Sequence, residues 1–152
     1  MKTKKKIEFP DLTRTFPRSS TDMIAGIVHL PRMIDKARAA NNNALGEYVY
    51  PCPLDKIVLG FLKSNAEIFS DVVNREEDPK VLQWAQEMTR FRTPTEKEIL
   101  NRQILERRPG SAEQWEYFNE MRDQIDPSRT DIETWVELSD LEEGRDVALL
   151  QS

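Results

Sequence analysis

Residues 53–62 read Pro53-Leu54-Asp55-Lys56-Ile57-Val58-Leu59-Gly60-Phe61-Leu62. Leu54, Ile57, Val58, Phe61 and Leu62 recur at the i, i+3, i+4, i+7, i+8 spacing that lays one apolar stripe along a helix. Pro53 suits the first helical position, where the backbone N–H makes no intrahelical bond. Asp55 falls in the first turn, where the positive end of the helix dipole favours an acid. A short amphipathic helix with its own start signal is the unit from which this chain is built.

Downstream the unit recurs. Ser64 or Asn65 caps a helix that buries Ile68, Phe69, Val72 and Val73, and Asp78-Pro79 opens another with Val81, Trp84, Ala85 and Met88. Thr93-Pro94-Thr95-Glu96, Ser111-Ala112-Glu113-Gln114 and Thr130-Asp131-Ile132-Glu133 each place a hydroxyl three residues before a Glu or Gln. In that pattern the hydroxyl accepts from an orphan amide while the longer side chain reaches back to the cap. The helices they start carry Ile99, Leu100 and Ile104; Trp115, Phe118, Met121 and Ile125; and Ile132, Trp135, Val136 and Leu141. Gly144 is placed to end the last. All three tryptophans, Trp84, Trp115 and Trp135, sit on apolar stripes and read as core.

Upstream the pattern changes. In Gly46-Glu47-Tyr48-Val49-Tyr50-Pro51-Cys52-Pro53 two tyrosines alternate and two prolines follow, which forbids a helix and predicts an extended segment. Before it, Met23, Ile24, Ile27, Leu30, Ile34 and Ala37 keep a helical period from Ser20 to Ala40, interrupted by Pro31. The spacing predicts two pieces, one ending near Val28 and one starting with Pro31 at its first position. Asn41-Asn42-Asn43 closes that helix as a turn. Residues 11–18 carry no helical period and read as an extended strap. The expected fold is all-α: a single compact domain over residues 11–152, with seven to eight short helices and one extended segment near 46–52. Residues 1–10 read as a disordered basic tail, with Lys2, Lys4, Lys5 and Lys6 a solvated terminus.

At 152 residues the chain is long enough to hold a core without disulfides or metals, and with one cysteine, Cys52, no intrachain disulfide forms. The formal net charge of −5 leaves no basic footprint, so nucleic acid is not an expected partner. No apolar run approaches the length needed to cross a bilayer, and Glu8, Pro10 and Asp11 stand where a signal peptide needs apolar residues. Neither a membrane nor secretion is expected, and the cytoplasm is the expected location. Five glycines and no GxGxxG or GxxxxGK[ST] pattern argue against the common nucleotide-binding folds.

Several stretches together resemble a known family. They are Asp11-Leu12-Thr13, the run from His29 to Ala39, the run from Leu45 to Tyr50, Cys52-Pro53-Leu54-Asp55, Thr134-Trp135, and Asp140-Leu141-Glu142-Glu143-Gly144-Arg145. In this order they resemble a family of small bacterial proteins known as domain of unknown function number 5069. The resemblance spans nearly the whole chain. It implies a bacterial protein standing as one domain, and it implies no activity.

The same stretches hold the candidate site. On a continuous helix His29, Arg32 and Lys36 fall within roughly 60° of one another, a cationic face suited to a carboxylate or phosphate. Asp35 can orient Arg32 or Arg38. Tyr48 and Tyr50 on an extended segment can line a pocket wall, with Cys52 and Asp55 at the helix start beside them and Trp135 from the last helix bordering the same pocket. Cys52 reads as a small helix-start residue rather than a nucleophile, and His29 is the only histidine that could serve it. No metal is expected: one His and one Cys are too few by themselves. Glu137, Asp140, Glu142 and Glu143 read as a solvated acidic face. The sequence thus supports a helical domain binding a small anionic molecule, or, alternatively, a non-catalytic interaction or self-associating module. It names no cofactor and leaves oligomeric state and enzymatic activity open.

Overall fold

A computed structural model describes residues 6–148. Most of the basic run, Lys2, Lys4 and Lys5, and the apolar tail residues Leu149 and Leu150 lie outside them. Within the span read as one helical domain, the chain gathers into two compact units, one up to Leu100 and one from Asn101 onward. The described elements are β1 (Met23–Ile24), β2 (Ile27–Val28), α1 (Leu30–Ala40), α2 (Pro53–Phe61), α3 (Ala66–Arg75), α4 (Asp78–Met88), α5 (Pro94–Leu105), α6 (Ala112–Ile125) and α7 (Trp135–Glu142). The fold is therefore mostly helical, as the spacing predicts. None of the described helices is long and apolar enough to cross a membrane.

In the first unit α1 packs on α2 and α3, α2 on α3, and α3 on α4. Leu30, Met33, Ile34 and Ala37 of α1, Val58 of α2, and Phe69 and Val73 of α3 are fully buried. Asn65 caps α3 by accepting from Ile68 N at 2.9 Å. Ile68, expected to be buried, is 49% exposed. Phe69 and Val73, one turn apart, provide the stripe instead.

The helical reading of residues 20–28 needs correction. Met23–Ile24 pairs antiparallel with Ile27–Val28 in a two-residue hairpin, and α1 begins only at Leu30. Both loop residues, Ala25 and Gly26, have positive φ, 57° and 73°, as a tight hairpin of this twist requires. Met23, Ile24, Ile27 and Val28 satisfy a helical period, but they pair as a β-ribbon around that turn. The segment at 46–52, expected to be extended, contains no helix but turns at Gly46 and Glu47, where Tyr48 N donates to Leu45 O at 3.2 Å. The strap is less extended than expected: Arg14 N and Thr15 N both donate to Asp11 O, folding it into a turn. Leu12 from that turn is buried against Ala39 and Ala44.

In the second unit α6 packs on α7. Phe118, Ile132 and Leu138 form its buried core, with Trp115, Met121, Trp135 and Leu141 packed against them. Ser111 caps α6 through Gln114 N at 3.1 Å. The last helix starts four residues later than the capping pattern at Thr130 suggests. Thr134 is its cap and Glu137 closes the box, accepting from Thr134 N at 3.0 Å. Residues 130–133 form no helix, and there Arg129 holds Asp131 with two bonds, at 3.0 and 3.1 Å. Gly144 ends α7 at φ 75°. The late acids are not a solvated face throughout: Asp140 and Glu143 are buried and both paired with Arg145.

Candidate functional site

The residues of the site gather on α1 and on the chain that enters α2. α1 is unusual in having no solvent-facing stripe: Leu30 to Ala39 are all buried, including Arg32, Asp35, Lys36 and Arg38. Charged side chains are seldom buried unless paired, and here each has partners.

Asp55 is the hub. It is fully buried at the third position of α2 and accepts from Cys52 N at 2.8 Å, the return half of a capping box in which cysteine takes the place of serine. The same oxygen, Oδ2, accepts from Lys36 Nζ at 2.7 Å. The other, Oδ1, lies 2.6 Å from His29 Nε2. Lys36 also donates to Val49 O at 3.0 Å and to Cys52 Sγ at 3.3 Å, so its three N–H bonds all have acceptors. His29 Nδ1 lies 2.8 Å from Ser20 Oγ. His29 itself precedes α1 in the left-handed region, at φ 73°. Such a conformation is uncommon outside glycine, though less so for histidine than for most residues.

The electrostatics are consistent with one proton arrangement. Burial raises the Asp55 pKa, but the His29 hydrogen bond and the Lys36 charge outweigh it and bring the pKa down to about 2. Burial lowers the His29 pKa, assisted by the charges of Lys36 and Arg32 and opposed by Asp55. Near neutral pH Asp55 is thus a carboxylate and His29 a neutral ring. With Asp55 accepting from Nε2–H, Nδ1 carries no hydrogen and accepts from the Ser20 hydroxyl. Burial and the Asp55 charge raise the Cys52 thiol, which stays protonated. Cys52 stands at the N-cap of α2. Burial likewise raises the Tyr50 phenol, whose hydroxyl donates to Ala66 O at 2.9 Å.

His29, Cys52 and Asp55 place ligand-capable atoms within 4.8 Å of one another. Asp55 supplies the carboxylate of this trio. The Lys36 ammonium is already bonded to both Cys52 and Asp55, so the positive charge a metal would supply there comes from the chain itself.

Arg32 and Asp35 take other directions. Arg32 donates to Arg18 O at 3.2 Å, and its guanidinium lies over the Tyr48 ring, 5.5 Å from the centroid. The segment from Tyr48 to Cys52 therefore lies along α1, as the short connection after Asn43 implies. Asp35 accepts from Arg18 N, Nε and Nη2 at 2.8, 3.1 and 2.9 Å. Arg18 continues to Asp78 at 2.8 Å, and Asp78 pairs with Arg38 at 2.9 Å. Arg38 also donates to Val73 O and Glu76 O, both at 2.8 Å, closing the C-terminal end of α3. Sequence reasoning missed Ser20, Arg18 and Asp78. Only Asp78 carried a local signal, as a helix-start acid. Trp135 belongs to the second unit, where its ring meets Phe118 edge-on at 5.3 Å.

A cavity of about 890 Å³ lies elsewhere in the first unit, lined by Ile7, Asn41, Asn42 and Asn74, by the cations Lys6, Arg75 and Lys80, and by Glu76 and Glu77. It sits at the C-terminal end of α1, roughly 16 Å along the helix from His29.

No curated protein matches this chain in sequence. The pattern of the Domain of unknown function (DUF5069) covers residues 14–145. With most of its length inside that match, the chain belongs to the DUF5069 family.

Proposed function

We propose that this protein binds a small anionic molecule and that the molecule lies in the cavity at the C-terminal end of α1. The cavity carries the reading: its volume of about 890 Å³ falls in the range of small-molecule sites, and three cations face it. Arg75 and Lys80 are exposed side chains able to exchange water for a carboxylate or phosphate. Arg32 and Lys36, the cations first expected to do this, are 6% and 3% exposed and already hydrogen-bonded. Glu76, Glu77 and the three asparagines favour a ligand that also carries amine or hydroxyl donors.

A thermal-shift screen of anionic metabolites, followed by calorimetry, tests the reading, because a ligand specific for the native state raises the melting temperature. Arg75→Ala with Lys80→Ala should weaken the best ligand at least about tenfold, near 1.4 kcal/mol. Unchanged affinity would remove the cavity as the site. A loss confined to Arg32→Lys would return the site to the N-terminal half of α1.

A second reading, an interaction module, draws on exposed apolar side chains of the first unit. Phe91 is 84% exposed, Val49 63% and Ile99 61%. Sedimentation that depends on protein concentration, and is abolished by Phe91→Ser, would favour it.

A further inference from the structure

The cluster at the other end of α1 is not used by ligand binding in the cavity, and its geometry is that of a charge-anchored nucleophile. We infer that Ser20 is a nucleophile for transfer of a small acyl group, with His29 as its general base and Asp55 as the residue that orients that base.

Four observations carry this. Ser20 Oγ lies 2.8 Å from His29 Nδ1, and His29 Nε2 lies 2.6 Å from Asp55 Oδ1, so both bonds of a hydroxyl–imidazole–carboxylate chain are formed. The proton is on the far nitrogen, because Asp55 can only accept there, which leaves Nδ1 free of hydrogen and facing the hydroxyl. Asp55 is in turn fixed by Lys36 and by Cys52 N, so the orienting group has one position. Lastly, His29 is held at φ 73°, a backbone state that residues with a side chain rarely adopt, and such outliers concentrate at functional sites. The roles of the two ring nitrogens are exchanged relative to the best-known serine hydrolases, but the chemistry needs only one bare nitrogen at the hydroxyl and one protonated nitrogen at the carboxylate.

Ser20 is 2% exposed, whereas Thr21, Asp22 and Met23 next to it are exposed. The hydroxyl is therefore covered, and the proposal requires a substrate compact enough to reach it from the exposed turn at Thr21 and Asp22. The substrate class is a short-chain carboxylic ester or a comparably activated acyl compound. Ser20 Oγ attacks the carbonyl carbon while its proton passes to His29 Nδ1. The tetrahedral adduct collapses, the bond to the leaving alcohol breaks, and that oxygen takes the proton from Nδ1. Water then attacks the Ser20 ester by the same route, releasing the acid and restoring the hydroxyl. No oxidant, metal or further reactant enters the balance.

The test uses the full chain and methanesulfonyl fluoride, a compact reagent that labels activated serine hydroxyls, with the modified peptide located by mass spectrometry. One label per chain on Ser20 is expected, and none on Ser20→Ala. The labelling rate should rise with pH as His29 loses its proton, then level off. It should fall by about 10²–10⁴-fold in His29→Gln, the usual contribution of a general base. Because His29→Gln could unfold the chain, Ser20→Cys provides a second measure: the introduced thiol should alkylate faster than Cys52 in the same protein. An unlabelled wild-type chain, a label that persists in Ser20→Ala, or an introduced thiol in Ser20→Cys that reacts more slowly than Cys52 would each overturn the assignment. None of these results depends on whether the cavity at the other end of α1 binds an anion.

Discussion

Around Asp55, buried side chains meet through charge: a carboxylate, an ammonium, an imidazole and a hydroxyl, each bonded to the next. Around Trp135 they meet as rings, with Phe118 edge-on to Trp135 at 5.3 Å and to Trp115 at 5.4 Å. Apolar contacts weaken gradually when trimmed, because the attraction is non-directional and proportional to area. A buried charge network behaves differently. Its members are worth little more together than an apolar replacement of the same shape, yet losing one strands the others without water. Among the described residues only Ser64 Oγ is buried without a partner, so the network begins from full satisfaction and any truncation is felt.

The largest expected effect is therefore at Asp55. Asp55→Asn keeps the shape but leaves the Lys36 ammonium buried against a neutral amide, and should cost about 3–5 kcal/mol in urea unfolding. A loss under about 1 kcal/mol would mean that water reaches the ammonium, and the contrast between the two regions would fail. Trp135→Ala comes next, at about 3 kcal/mol, the lower end for a large aromatic because the ring is only half-buried. Loss of the Trp115 fluorescence transition along with it would tie that cost to the aromatic core.

The smallest effect is of pH. His29 has a native pKa below its ordinary value of 6.5, so between the two the unfolded chain binds the extra proton. Its contribution to stability is full above pH 6.5 and declines as pH falls toward the native value, by at most about 1.4 kcal/mol per pH unit. Asp55, depressed from 3.8 to about 2, contributes fully above pH 3.8 and loses that contribution as pH falls through 2. Urea midpoints measured between pH 7.5 and 5 should drop for the wild type and stay flatter in His29→Gln. The aromatic core contains no titratable side chain and provides no such slope. Equal slopes in both proteins would show that His29 is not the group responsible.

Much of this contrast was legible in the chain, and for a physical reason. Helix starts are local: Thr93 with Glu96 and Ser111 with Gln114 lie within one turn of each other, so their pairing can be read directly. The aromatic core follows from stripes at helical spacing. The charge network is not local. His29 and Asp55 are 26 positions apart, and Arg18 and Asp78 are 60 apart. No period links them, so His29, Lys36 and Asp55 could be named as candidates while their bonds could not. One local signal did exist: Cys52-Pro53-Leu54-Asp55 is a capping box with sulfur in place of oxygen. The hairpin at 23–28 was hidden because four apolar residues around a two-residue turn satisfy a helical period too.

The absence of any solvent-facing stripe on α1 has a consequence for how the protein exchanges hydrogen with water. A helix half in solvent loses its outward amides by fraying, a turn at a time. With every side chain from Leu30 to Ala39 buried, α1 has no outward side from which local opening could begin, and both its ends are tied down, at His29 by the ring bonds and at Asn41 by bonds to Ala37 and Ala39. Its amides should then exchange together, at the rate set by the largest opening that includes the helix, rather than as a graded series along it.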